Sequence, residues 1–313
     1  MKVLVTGGAG FIGSHVAERL LQAGHAVRVL DNFSSGRREN ILGFADELEV
    51  VEGDIQSYER AHTAVQGCDV VIHEAALPSV PRSIQDPLTS NASNVIGTLN
   101  VLLAARDSGV RRVVYASSSS VYGAGKTLPK SEDLAVMPIS PYAVAKLAGE
   151  GYCRSFWEVY GLETVALRYF NVYGVRQDPL SQYASVIPRF VDAMLAGDAP
   201  VVYGDGSQTR DFTYVDDVVA GTLLAVEAEG VAGKVFNIAA GEEVSVNRLL
   251  DVLREIIGAG VEPRHEPGRR GEVARSHADV SAAARELAYR PSVPLREGLQ
   301  MITDYYAARA SQR

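Results

Sequence analysis

Cysteine is scarce in this chain. Cys68 and Cys153 are the only two in 313 residues, and they stand far apart, with neither a Cys-x-x-Cys spacing nor a neighbouring histidine. That argues against a disulfide framework and against a metal site of the zinc type, and leaves a cytoplasmic protein with reduced thiols as the simpler reading. No stretch approaches about 18 consecutive apolar residues, so no membrane span is expected. Nor does the chain open with a charged leader and an apolar run of signal length. Positive charge is also in deficit: 30 Lys and Arg against 38 Asp and Glu give a net charge of −8. A nucleic-acid binder needs a broad basic surface, which this balance argues against, and an anionic ligand has to be met by a local cluster of arginines. What is present is apolar mass. Hydrophobic residues make up 47% of the chain, enough at this length to bury roughly three quarters of the surface. One large domain with a smaller one attached is the expectation.

The first 170 residues alternate strand and helix signals. Lys2-Val3-Leu4-Val5-Thr6 is a β-branched run that breaks into Gly7-Gly8-Ala9-Gly10-Phe11-Ile12-Gly13-Ser14, with helical periodicity from His15 to Ala23. Glycines at 7, 10 and 13 allow a tight turn and the close approach of a pyrophosphate, stabilised by the amides and positive dipole end of the helix. The next strand, Ala26 to Leu30, ends at Asp31. A carboxylate there accepts both ribose hydroxyls and repels a 2'-phosphate, which favours NAD over NADP. Arg37 and Arg38 follow closely, with a surface-loop role as their plainer reading. A third strand, Glu49 to Glu52, leads to Gly53-Asp54-Ile55, where Asp54 either meets the adenine amino group or caps a helix. Val70 to Ala76 reads as a buried strand whose small last residues let a cofactor pass, and His73 within it reads as structural. A helix from about Pro87 to Ser108 carries Asn94, and a fifth strand, Arg112 to Ala116, empties into Ser117-Ser118-Ser119-Ser120. Ligands gather at the carboxyl ends of strands in an open parallel sheet, so these hydroxyls face the cofactor.

With a sixth strand from Thr164 to Phe170, the pattern is a Rossmann-type doubly wound α/β sheet. A helix from Ala184 to Leu195 follows. Asp216 to Ala228 and a strand at Val235 to Ala239 then return to the main sheet, and helices near Ser245 to Ile257 and Leu295 to Ala308 build a lobe. The expected division is a dinucleotide-binding domain at 1–170, joined by about 212–240, and a smaller α/β lobe made of 171–211 and 241–313.

Near the middle stands Ser140-Pro141-Tyr142-Ala143-Val144-Ala145-Lys146. Four residues are one helical turn, so the phenol of Tyr142 and the ammonium of Lys146 share a face. Ser140 is placed to cap that helix, and Pro141 suits its first turn. Together with the glycine turn, Asp31 and Ser118, this series resembles the extended short-chain dehydrogenase/reductase family, and more closely the UDP-hexose 4-epimerases, over nearly the whole length. Arg168-Tyr169-Phe170-Asn171, Thr209-Arg210-Asp211-Phe212 and Arg269-Arg270-Gly271-Glu272 carry the likeness further.

The resemblance implies an NAD-dependent isomerase with Ser118, Tyr142 and Lys146 as its catalytic set. It implies NAD contacts at Gly7, Gly10, Phe11, Ile12, Gly13, Asp31, Asn32, Asp54, Ile55, Ala75, Asn94, Tyr142, Lys146 and Tyr169. UDP-sugar contacts are implied at Ser79, Ser118, Ser119, Tyr142, Asn171, Val186, Arg210, Arg269 and Ser276, with Asn171, Arg210 and Arg269 on the diphosphate. A homodimer is implied too, built on the helices Asn91 to Ser108 and Tyr142 to Tyr160.

Other members of the family are set apart by single residues. Sugar-nucleotide 4,6-dehydratases carry Thr-Asp-Glu where this chain has Ser118-Ser119-Ser120, and two serines cannot supply the acid and base that dehydration needs. Decarboxylating relatives keep a Glu at the place of Ser120. UDP-glucuronate 4-epimerases share the catalytic set and stay as the alternative, although Asn171 and Asp178 depart from some of them in favour of neutral hexoses. Ser276 stands where a bulky Tyr excludes N-acetylated sugars, which implies that UDP-N-acetylglucosamine is accepted beside UDP-glucose. Ala76 to Ser83 resembles the branch that uses N-acetylhexosamines. The alternative of another class is a dinucleotide-binding sensor without catalysis.

Overall fold

The computed structural model describes residues 1–179, 185–258, 260–268 and 273–310. Arg269-Arg270-Gly271-Glu272, expected to contribute to the diphosphate site, lies outside the described residues, as does Ala184 at the expected start of a helix.

The strands β1 (Lys2–Thr6), β2 (Ala26–Asp31), β3 (Leu48–Glu52), β4 (Val70–His73), β5 (Arg112–Ser118) and β6 (Glu163–Tyr169) alternate with helices. These are α1 (Phe11–Gln22), α2 (Tyr58–Val65), α3 (Val80–Gln85), α4 (Pro87–Asn91), α5 (Gly97–Asp107) and α6 (Pro141–Tyr160). After β7 (Val172–Tyr173) come α7 (Val186–Leu195), β8 (Val201–Tyr203), β9 (Thr209–Arg210) and β10 (Thr213–Tyr214). α8 (Val215–Glu227) and β11 (Lys234–Ile238) then rejoin the sheet, before β12 (Val244–Ser245), α9 (Val246–Ile257), β13 (Arg264–Glu266), α10 (Ser281–Glu286) and α11 (Leu295–Ala310). The main sheet runs β11-β6-β5-β4-β1-β2-β3 with every pairing parallel.

Strands buried on both faces read as continuous apolar runs, and alternate residues serve opposite sides. Val3, Val5, Ile72 and Val114 pack with α1 and α8, whereas Leu4, Val71 and Val113 pack with α2, α5 and α6. Cys68 and Cys153 are buried in this second layer. The first layer continues without a break through Tyr173 and Tyr214 into Ile187, Phe190, Leu249, Leu253 and Ile302. The smaller lobe therefore shares the core of the sheet instead of building its own, which fixes the lobe against the sheet's carboxyl edge.

Two elements differ from their apolar periodicity. α1 begins at Phe11, four residues ahead of the periodic signal at His15, because the glycine turn already contains the first helical turn. Packing demands its glycines: a Cβ on Gly13 would come 2.2 Å from Gly7 O, and Gly7 itself has φ +69°, a left-handed conformation open mainly to glycine. The helix expected over Pro87 to Ser108 is α4 and α5 joined by a π turn at Ala92–Ile96. The widened turn directs Ser93 and Asn94 into the interior.

Candidate functional site

A cavity of about 1260 Å³ opens between the carboxyl edge of the sheet and the lobe. Ile12, Ser79, Ser118, Ser119, Tyr142, Tyr169, Asn171, Val186, Arg210 and Ser276 all line it, so residues far apart in sequence meet on one cavity. The other residues assigned to the cofactor follow the ends of β1 to β4: Gly7, Gly10 and Gly13 after β1, Asp31 and Asn32 at β2, Asp54 and Ile55 after β3, and Ala75 after β4.

α6 presents the Tyr142–Lys146 pair. Ser140 Oγ accepts the Ala143 amide at 3.2 Å and Pro141 starts the helix, while the Tyr142 amide donates to Ser83 Oγ at 3.1 Å. Lys146 is buried, and its Nζ donates to Ala116 O at 2.7 Å. It lies 5.9 Å from the centroid of the Tyr142 ring and 5.1 Å from that of Tyr115. Burial pushes the Tyr142 phenol up to about 12, against the lowering influence of the Ser118 hydroxyl. Burial pulls the Lys146 ammonium below its usual range, and the negative charges of Glu74 and Glu150 resist that shift. Ser118 Oγ also accepts the Ser120 amide at 3.2 Å, which fixes the hydroxyl at the end of β5.

The remaining cofactor candidates fall into two kinds. Asp31 is buried, and its carboxylate accepts the amides of Ala9 at 2.9 Å and Phe33 at 2.8 Å. Burial raises its pKa while those amides oppose the rise. Asp54 takes the Asn32 side chain at 2.9 Å and the Gln56 amide at 2.8 Å. It caps no helix, because Ser57 caps α2, and the capping alternative is thereby removed. Asn94 acts through the backbone: its amide accepts from Leu77 N at 2.7 Å and donates to Leu77 O at 3.2 Å, holding the segment after Ala75. His73 is structural as expected, bonded to Thr6 Oγ1 at 2.7 Å and Thr98 Oγ1 at 3.0 Å, with burial keeping it neutral. Arg37 pairs with Asp178 and Arg38 with Glu52, so both arginines have surface partners.

At the lobe end, Asn171 has φ +24°, a conformation whose strain of about 1–3 kcal/mol persists where surrounding structure imposes it. Asp211 is buried behind Arg210 and accepts the amides of Ala240, Gly241 and Ala278 at 3.0–3.2 Å, and burial raises it to about 6. The Ser276 amide donates to Thr209 O at 3.2 Å. Sequence reasoning missed three cations on the cavity wall, Lys130, Arg189 and Arg275. Arg275 is bidentate to Glu243 at 2.7 and 2.6 Å, a contact between distant segments that no local sequence signal marks. The buried Arg168–Glu150 pair, at 2.9 and 2.8 Å with Ser117 Oγ on the same carboxylate, was missed as well. It is an i, i+8 neighbour of Tyr142 on α6. Among the described residues there is no cluster suited to a metal ion and no helix long and apolar enough to cross a membrane.

Residues 3–239 match the NAD dependent epimerase/dehydratase family. The chain belongs to that family. The chain is 41% identical to the UDP-glucose 4-epimerase of Mycolicibacterium smegmatis, over 98% of either chain. It superposes with a TM-score of 0.94 on the UDP-N-acetylglucosamine 4-epimerase of Methanobrevibacter ruminantium M1 in complex with UDP-N-acetylmuramic acid, at 36% identity and 98% coverage of both chains. It superposes with a TM-score of 0.92 on the UDP-glucuronic acid 4-epimerase of Bacillus cereus in complex with UDP-glucuronic acid and NAD, at 35% identity, covering 99% and 100% of the two chains. The epimerase is thus an NAD-dependent enzyme of the UDP-sugar 4-epimerase group. Its glycine turn fits that cofactor. Gly7 at φ +69° and Gly13, where a Cβ would come 2.2 Å from Gly7 O, keep side chains out of the turn before α1, and α1 has neither a side-chain cap nor an acidic residue in its first turn. The amides at that end and the helix dipole are left for an anion.

Proposed function

We propose that this epimerase inverts carbon 4 of UDP-hexoses, interconverting UDP-glucose with UDP-galactose and UDP-N-acetylglucosamine with UDP-N-acetylgalactosamine. The observation that carries the reading is the convergence of Tyr142, Ser118, Arg210 and Asn171 on the wall of a single cavity, with Lys146 buried one helical turn from Tyr142 on Ala116 O. The proposed division of labour gives the sheet, 1–170 with about 212–240, to NAD, and gives 171–211 with 241–313 to the UDP-sugar. Gly7, Gly10, Phe11, Ile12 and Gly13 would receive the pyrophosphate, Asp31 and Asn32 the ribose, and Asp54 and Ile55 the adenine.

Bound NAD supplies a two-electron acceptor that takes a hydride from carbon 4 and gives it back. Tyr142 takes the 4-hydroxyl proton as the carbon 4 hydrogen leaves with its electron pair, and Ser118 hydrogen-bonds the resulting 4-keto oxygen. Arg210 and Asn171 anchor the diphosphate while the sugar turns. Tyr142 then returns its proton as the hydride arrives on the other face, so no net redox change results. A phenol at about 12 needs about 5 units, or ~7 kcal/mol, to be half ionised at pH 7. One opposite charge within about 4–6 Å supplies one to three units. Lys146 is already present where the phenol stands at about 12, so the further lowering would have to come from the positive charge that an oxidised nicotinamide would bring.

Ser276 on the cavity wall supports room for a 2-acetamido group. A second reading, UDP-glucuronate, is favoured by Lys130, a buried cation on the same wall whose Nζ donates to Gly125 O. Incubation with each sugar nucleotide and chromatographic separation of the 4-epimers tests both; conversion of UDP-glucuronate alone would overturn the neutral-hexose reading. The exposed apolar residues Leu88, Ile96, Val144 and Val159 on α4, the π turn and α6 support a homodimer through that face, which sedimentation would test.

A further inference from the structure

Glu74 has no role in the scheme above, yet it sits inside the machinery. The last paired register of the two central strands sets His73 beside Tyr115, so one residue further Glu74 comes level with Ala116, whose carbonyl receives Lys146 Nζ at 2.7 Å. From the opposite side its Oε1 accepts the Tyr169 hydroxyl at 2.8 Å. Tyr169 in turn meets Thr222 Oγ1 at 2.8 Å, and Tyr169 lines the cavity that holds Tyr142 and Ser118. Oε2 has no partner among the described residues. The carboxylate is therefore held by one oxygen and faces no arginine or lysine at hydrogen-bond distance. Its charge is felt by Tyr142 and Lys146, each of which it shifts upward.

The contrast with Glu150 is instructive. That carboxylate lies on the same helix as Lys146 and is fully taken up by the Arg168 fork and Ser117. Glu74 is left with a neutral phenol. Glu74 is half-buried, with no cation at hydrogen-bond distance among the described residues. Partial burial, costly to the charged form, pushes it above the usual carboxylate range against the more distant attraction of Lys146. A cation delivered by a ligand would relieve that cost. The ring that accepts a hydride must lie against the carbon whose hydroxyl Tyr142 serves, and it carries a positive charge only in its oxidised form.

We propose that Glu74 is a positioning residue, held by Tyr169 and Thr222, whose negative charge favours oxidised over reduced nicotinamide at the sheet edge. The hydride is thereby handed back to the 4-keto sugar rather than retained, which limits release of the keto intermediate. The inference rests on Tyr142 marking the reacting carbon, but its test uses no sugar and fails separately from that reading. The full-length protein is equilibrated with mixtures of NAD+ and NADH, free nucleotide is removed, and the reduced fraction bound is read from nicotinamide fluorescence. Glu74→Gln is expected to shift the bound ratio roughly tenfold toward NADH, and Tyr169→Phe to shift it less in the same direction. A structural role would weaken both nucleotides alike, so an unchanged ratio with Glu74→Gln overturns the proposal. If that variant does not fold, Tyr169→Phe decides, and an unchanged ratio there overturns it.

Discussion

The two walls of the cavity are built differently. On the sheet wall, Ser118 is fixed by the Ser120 amide, and the helix that carries Tyr142 is braced behind the wall by Lys146 on Ala116 O and by the Glu150–Arg168 pair. On the lobe wall, Arg275 is 61% exposed and joined to Glu243, and Arg210 has its guanidinium on the backbone of Thr209 at 2.8 Å. Reacting groups need placement within about half an ångström on locked elements, a demand that the adjustable side chains of the lobe wall do not meet. Under the proposed function, chemistry belongs to one wall and selection to the other, and substitutions on each wall should separate in kind as well as size.

The largest effect is expected on the sheet wall. Tyr142→Phe should lower kcat at least about a thousandfold while UDP affinity, measured by calorimetry, stays close to wild type; near-normal turnover would break the division. Arg168→Met leaves the Glu150 carboxylate buried without its cation and should cost about 3–5 kcal/mol of stability, read as a lowered midpoint in urea. Pairing it with Glu150→Leu should recover most of the loss, since both charges are then gone. On the lobe wall, Arg210→Gln should raise KM roughly ten- to a hundredfold with kcat little changed, the loss of a charge-assisted hydrogen bond. Ser276→Tyr should remove UDP-N-acetylglucosamine as a substrate and leave UDP-glucose turnover near wild type; equal loss of both would remove the gate. Arg275→Gln is the smallest: an exposed ion pair contributes under about 1 kcal/mol, and thermal denaturation should barely register it.

The same contrast explains what could be read from the residues alone. The sheet was legible because its strands are apolar on both faces and its helices carry local signals, Ser140-Pro141 before α6 and Ser245 before α9. The glycine turn, Asp31 and the Tyr142–Lys146 pair were legible because each chemistry needs a particular spacing within a few residues. Contacts between distant segments carried no such mark. Arg168 meets Glu150 only because β6 packs beside α6, and Glu74 meets Tyr169 only across the sheet edge. The shared core was hidden for the same reason: nothing in α7 or α9 alone says that their apolar faces continue the layer beneath β1. The π turn placed Asn94 inside, where it holds Leu77, a role that helical periodicity does not reveal.

In the proposed function the hydrogen on carbon 4 leaves and returns within one cavity while Tyr142 moves the matching proton. UDP-glucose bearing deuterium at carbon 4, incubated with the enzyme beside unlabelled external NAD, tests it most directly. The prediction is UDP-galactose that keeps its deuterium at carbon 4, with none formed by Tyr142→Phe. Deuterium recovered in the solvent or in the external nicotinamide would contradict it.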